Sequence, residues 1–130
     1  MKKWFILITL LSFFLVLTSC EDSPLPAPEG TQLTIYVNPK ILPPGGTAKI
    51  KVIGTEKDGS PLRNGVEIFF DASLGTVEPE SALTKDGKVE ATFHAGYILG
   101  TATIIARARG GIEVYTTVEI VEEVPGKGGK

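Results

Sequence analysis

The sequence has little of what enzymes and metal proteins are usually built around. Its 130 residues include one cysteine, one histidine, one tryptophan and one methionine. The lone cysteine, Cys20, excludes a disulfide within the chain. The lone histidine, His94, leaves too few nitrogen and sulfur ligands for a zinc site, so neither metal nor cofactor is expected. No triad can be assembled without a Ser or Cys poised beside His94, and no G-x-S-x-G occurs. Clusters of Lys and Arg are missing before the final Lys127 and Lys130, and the formal net charge is −2. Phosphate binding needs such clusters, so nucleic acid is excluded as a partner. Beyond Cys20 no stretch shows the 3.6-residue apolar period of a helix.

What the chain does have begins at its first residues. Lys2 and Lys3 precede a nearly unbroken apolar run, Trp4 to Leu17, interrupted only by Thr9 and Ser12. A membrane span needs roughly 20 apolar residues, and the shorter run fits the h-region of a secretory signal. Directly after it, Leu17-Thr18-Ser19-Cys20 resembles the lipobox of bacterial lipoproteins: a branched apolar residue, two small ones, then cysteine. The resemblance implies that the Cys20 thiol is acylated and that the chain is cut before it. Two or more acyl chains anchor a protein stably, where one gives only reversible binding. Residues 1–19 are then a signal peptide and the membrane is a partner through lipid. The location expected is the cell envelope, at the outer membrane or cell surface in preference to the inner membrane. Loss of Lys2 and Lys3 leaves 11 basic against 15 acidic residues, a formal charge of −4.

Residues 20–30 read as the lipidated cysteine and a linker, with three prolines in Pro24-Leu25-Pro26-Ala27-Pro28. Such a stretch favours extended polyproline II and a stalk of about 30 Å. Residues 124–130, VPGKGGK, read as a flexible tail. The remaining residues, 31–123, are long enough for one domain.

Within that domain apolar residues alternate with a period of two, the mark of strands with one buried face. Leu33, Ile35 and Val37 form one such set, ended by Pro39; Ala48, Ile50 and Val52 form the next. Val66, Ile68 and Phe70 follow, then short strands near 75–78 and 82–84. Val89, Ala91 and Phe93 precede the long set Ala102, Ile104, Ala106 and Ala108. After a Gly110-Gly111 turn come Val114, Thr116, Val118 and Ile120. About seven antiparallel strands at regular spacing predict an all-β sandwich whose core holds without disulfides.

At this level the residues resemble a known domain group. The order is Ile35-Tyr36-Val37-Asn38-Pro39, Leu42-Pro43-Pro44-Gly45-Gly46-Thr47-Ala48, Asp58-Gly59-Ser60-Pro61-Leu62, then Gly65-Val66-Glu67-Ile68-Phe69-Phe70. Leu74-Gly75-Thr76-Val77, Thr84-Lys85-Asp86-Gly87-Lys88-Val89-Glu90-Ala91-Thr92-Phe93 and Gly100-Thr101-Ala102-Thr103-Ile104 complete it. This series is similar to the bacterial Ig-like domains of the invasin and intimin group. The resemblance implies an Ig-like β-sandwich, no catalytic residues, and a spacer or adhesive role. An Ig-like strand order also puts Phe69, Ile105 and Tyr115 on one outer sheet face, rimmed by Glu67, Arg107 and Glu113. That cluster is the candidate site for another envelope protein or a host-surface protein.

Other candidates are weighed and set aside. His94 falls at an outward position near a strand end and reads as a solvated histidine. Asp58-Gly59 and Asp86-Gly87 read as turns, because Lys57, Lys85 and Lys88 crowd the one or two acids each offers a cation. Glu78 and Glu80 flank Pro79 with no aromatic sugar platform nearby, unlike a glycosidase pair. The function expected is therefore a non-enzymatic, membrane-anchored interaction or adhesion module. The alternative is a carbohydrate- or small-ligand-binding protein that uses loops 56–65 and 94–100 at one end of the sandwich.

Overall fold

The computed structural model describes residues 23–122. The expected signal peptide of residues 1–19, the residues read as a lipobox (Leu17, Thr18 and Ser19), Cys20 and the residues beyond Glu122 all lie outside them. Nine strands follow in chain order: β1 Gln32–Asn38, β2 Ile41–Leu42, β3 Thr47–Thr55, β4 Glu67–Ala72 and β5 Thr76–Glu78. They continue with β6 Ser81–Leu83, β7 Lys88–His94, β8 Gly100–Ala108 and β9 Glu113–Ile120. They form two sheets, β1-β3-β7-β5 and β2-β9-β8-β4-β6, so the chain is an all-β sandwich as the periodicity predicts.

The period-two alternation explains how the sheets close on each other. Ile50 and Val52 of β3 and Phe93 of β7 face Ile68 of β4, Ile104 of β8 and Val118 of β9, all nearly or completely buried. Their outward neighbours are polar or half-buried. Side-chain packing of this kind is the main stabilising contribution. Thr84 is a buried polar exception, and its hydroxyl is satisfied twice: it accepts from the Val66 N–H at 3.0 Å and donates to the Arg63 carbonyl at 2.7 Å.

Two expectations need correction. The pairing is not wholly antiparallel, because β2 runs parallel to β9, with Ile41 beside Glu119 and Leu42 beside Ile120. The cause is Pro39, which has no N–H to extend β1. The chain leaves the first sheet there and joins the edge of the second without reversing direction. The Glu119 N–H then donates to the Lys40 carbonyl and the Val121 N–H to that of Leu42.

The second correction concerns the stalk. Residues 24–27 do not stand free of the sandwich. The Leu25 N–H donates to the Gly65 carbonyl at 2.8 Å, and Glu67 N–H donates back to Leu25 at 3.2 Å. The Ala27 N–H donates to the Arg109 carbonyl at 2.6 Å, and the Ala27 side chain packs on the core. Residues between prolines keep their own N–H groups, and here those groups find partners at the start of β4 and the end of β8.

Candidate functional site

The strand order β9-β8-β4 puts the three candidate residues on adjacent strands in the middle of one sheet. Ile105 lies directly opposite Tyr115 across the β8–β9 ladder. Phe69 pairs with Arg107, and so stands diagonally from Ile105, two positions along β8. Phe69 and Ile105 alternate with buried neighbours and Tyr115 with half-buried ones, so all three side chains point outward. Tyr115 is 73% exposed and Phe69 39%, while Ile105 is half-buried between them.

Charge surrounds this cluster in an ordered way. Arg107 Nε lies 3.0 Å from Glu113 Oε2, which ties β8 to β9 just beyond Ile105 and Tyr115. Glu67 turns to Arg109 at 3.7 Å. Exposed pairs of this kind contribute little to stability, but they fix charged groups around an uncharged centre. The sequence reading missed two further apolar residues of this face: Leu83, opposite Glu67 on β6, and Ile41, opposite Glu119 on β2. Both lie in strands too short to display an alternation.

The opposite face, on β1-β3-β7-β5, carries a shallow cleft of about 440 Å³. Tyr36, Lys49, Lys51, Glu78, Glu90 and Thr92 line it, and Tyr36 is 55% exposed. His94 sits at its margin, with Nε2 3.6 Å from Glu78 Oε2 and its side chain 42% exposed, as a solvated surface group. Among the described residues no group of three His, Cys, Asp or Glu side chains is placed to hold a metal ion. Asp58 accepts hydrogen bonds from the Ser60 hydroxyl and N–H, which close its turn and hold its carboxyl below the usual range.

The loops proposed for a small ligand do not share an end. β3 and β7 are antiparallel neighbours, so loops leaving their C-terminal ends emerge on opposite sides of the sandwich. Residues 56–66 therefore lie at the end where the chain enters, and residues 95–99 at the far end. At the entry end Glu56 accepts from Arg63 three times, from its backbone N–H, Nε and Nη2, at 2.9–3.1 Å. The guanidinium hydrogen bonds lower the Glu56 pKa and raise that of Arg63. The Asp86 N–H donates to Asn64 Oδ1 at 2.8 Å, joining this loop to the next.

At the far end the β7–β8 loop presents three large apolar residues in succession. Tyr97 is 85% exposed, Ile98 68% and Leu99 51%. The signal was present in the sequence as an apolar run with no alternation, between His94 and the φ-positive Gly100.

No protein-family model matches the chain, and no curated protein matches it either. Solved structures with the same fold do. The Yersinia pseudotuberculosis adhesin InvE aligns with a TM-score of 0.59 at 22% identity, over 68% of this chain and 26% of that one. A C-terminal fragment of intimin, solved in complex with the intimin-binding domain of the translocated intimin receptor, aligns at 0.60 and 19%, covering 68% and 33%. Invasin, a bacterial integrin-binding protein, aligns at 0.60 and 21%, covering 70% and 19%. The chain thus spans less than half the length of each of these proteins. The fold is the Ig-like sandwich of the invasin and intimin domains.

Proposed function

We propose that this chain is a lipid-anchored protein of the bacterial cell envelope that presents one Ig-like sandwich as a non-enzymatic adhesion or protein-interaction module. Acylation of Cys20 places it, and the Phe69–Ile105–Tyr115 face does the binding. The observation that carries this reading is Tyr115, largely exposed on a central strand pair beside Ile105 and within a frame of paired charges. An apolar centre with a polar rim is the anatomy of a protein interface, and Tyr is enriched at such centres. The Ig-like fold shared with an adhesin, an integrin-binding protein and a receptor-bound intimin fragment supports the same class of role. The partner is accordingly another envelope protein or a host-surface protein.

The two halves of the reading are tested separately. Metabolic labelling with a fatty-acid analogue should tag the protein, and Cys20→Ser should abolish the tag. For the face, cells displaying the wild type are compared with cells displaying Phe69→Ser/Tyr115→Lys, at matched surface amounts. Adhesion to host cells and recovery of cross-linked envelope partners should fall at least tenfold. Unchanged binding by a folded variant would make the face structural, with cross-strand pairing as its role.

A second reading, glycan binding, now belongs to the Tyr36 cleft instead of the loops. An exposed ring beside Lys49, Lys51, Glu78 and Glu90 offers stacking and hydrogen bonds to a sugar. Glycan-array binding lost in Tyr36→Ala and kept in Phe69→Ser/Tyr115→Lys would favour it.

A further inference from the structure

Beside the chain that leaves β9 at Val121 and Glu122, the far end of the sandwich carries three loops: 43–46 (Pro-Pro-Gly-Gly), 73–75 (Ser-Leu-Gly) and 95–99 (Ala-Gly-Tyr-Ile-Leu). None of them holds a charged residue. The loops are held to one another and to the strands mainly by backbone groups: Gly45 N–H donates to Gly96, Ala95 N–H to Gly46, and Ser73 N–H to Thr103, whose own N–H donates to the Ser73 hydroxyl. The Tyr97 ring lies over Gly45, with ring atoms about as close as van der Waals contact would bring a side chain there. The loop carrying Tyr97, Ile98 and Leu99 therefore has a defined base, and its apolar side chains project from it into solvent.

We propose that this tip is a lipid-contacting element, which inserts Tyr97, Ile98 and Leu99 into the interfacial region of a bilayer. Three features favour lipid over a protein groove or a second copy of the chain. The three side chains stand largely exposed on a loop, so the patch enters a surface and does not receive one. With an aromatic side chain worth about 200 Å², the three residues expose on the order of 400 Å², half of the roughly 800 Å² per partner in a stable protein interface. The composition is an aromatic ring with a polar tip beside two aliphatics, which suits the boundary between headgroups and acyl chains. The tip also lies at the opposite end from Leu25 and Ala27, with the nine-residue β8 between, a separation of about 30 Å. It thus points away from Leu25 and Ala27. The inference does not depend on acylation of Cys20.

The test uses residues 20–130 with Cys20→Ser, so that the apolar run Trp4–Leu17 does not itself bind vesicles and an introduced cysteine is the only thiol. Ile98→Cys, or Lys85→Cys at the entry end, is labelled with a polarity-sensitive fluorophore. The chains are mixed with phosphatidylcholine vesicles, with and without phosphatidylglycerol. The label at 98 should shift to the blue and lose access to an aqueous quencher equally in both vesicle types, with little dependence on salt. The label at 85 should remain quenchable. Adding Tyr97→Ser and Leu99→Ser to the Ile98→Cys chain should weaken vesicle binding at least tenfold. A label at 98 that stays quenchable on vesicles overturns the proposal. So does one already shielded before vesicles are added, which would show a second copy or this chain itself covering the tip. Shielding only by protease-sensitive envelope material would assign the tip to a protein partner instead.

Discussion

The two ends of this sandwich are built by different means. The entry end is charged and cross-linked by side chains: Glu56 to Arg63, Asn64 to Asp86, and buried Thr84 to both Val66 and Arg63. The far end has no charge in its loops and holds them by backbone hydrogen bonds and tight glycine turns. A loop that satisfies its polar groups internally does not need polar side chains, so its surface is free to be apolar. The comparison teaches that stability and surface chemistry are set by separate residues at the far end and by the same residues at the entry end.

Substitutions should break this contrast in order of size. Thr84→Val keeps the shape but strips the Val66 N–H and Arg63 carbonyl of their buried partner, and should cost about 3 kcal/mol, read as a lower midpoint in denaturant titration. At the far end Gly75→Ala meets the same scale by another route. Gly75 has φ of +76°, and a Cβ there would run into the His94 carbonyl and the Phe93 ring. A loss of about 2–3 kcal/mol is expected, whereas alanine at Gly59, which has open space around it, should cost less and only through its φ of +87°. Ala27→Pro removes the N–H that docks the N-terminal segment on Arg109. It should cost about 1 kcal/mol, and hydrogen exchange at Leu25 should quicken while the Phe93 amide stays protected.

The smallest effect concerns acid. Glu56 has a lowered pKa because Arg63 hydrogen-bonds its charged form, and Asp58 because Ser60 does the same. A carboxyl whose pKa is lower folded than unfolded stabilises the protein above the unfolded value and loses that contribution as pH falls through the folded one. The entry end should therefore loosen below the ordinary carboxylate range. NMR shifts of the Arg63 guanidinium should follow that change, while those of Tyr97, in a loop without charged residues, stay flat.

The sequence made most of the core legible, because Ile50, Val52, Ile68, Phe93 and Ile104 each sit in strands long enough for alternation to show. Alternation also turned Phe69, Ile105 and Tyr115 outward, and the resemblance to Ig-like domains set their strands side by side in one sheet. Short pieces escaped. β2 has two residues and its parallel pairing depends on where Pro39 turns the chain. Docking of Leu25 and Ala27 was hidden by their prolines, which suggest an extended stalk but leave both N–H groups free to bond. The tip at Tyr97 was hidden because alternation finds buried faces, and an apolar loop has none.

The parallel junction of β2 and β9 has a mechanical consequence. The chain enters at one end, and it leaves β9 at the other. Tension between the two termini therefore drags β2 and β9 past each other along their length. The bonds from Glu119 to Lys40 and from Val121 to Leu42 lie across that motion, so they are loaded together in shear instead of being peeled one by one. Both Lys40→Pro and Leu42→Pro spare the two acceptors, but Leu42→Pro also removes a strand N–H and the buried Leu42 side chain, so in single-molecule pulling it should yield at the lower force. A domain wired this way yields abruptly under load, and until then it transmits force from whatever it grips to whatever holds it.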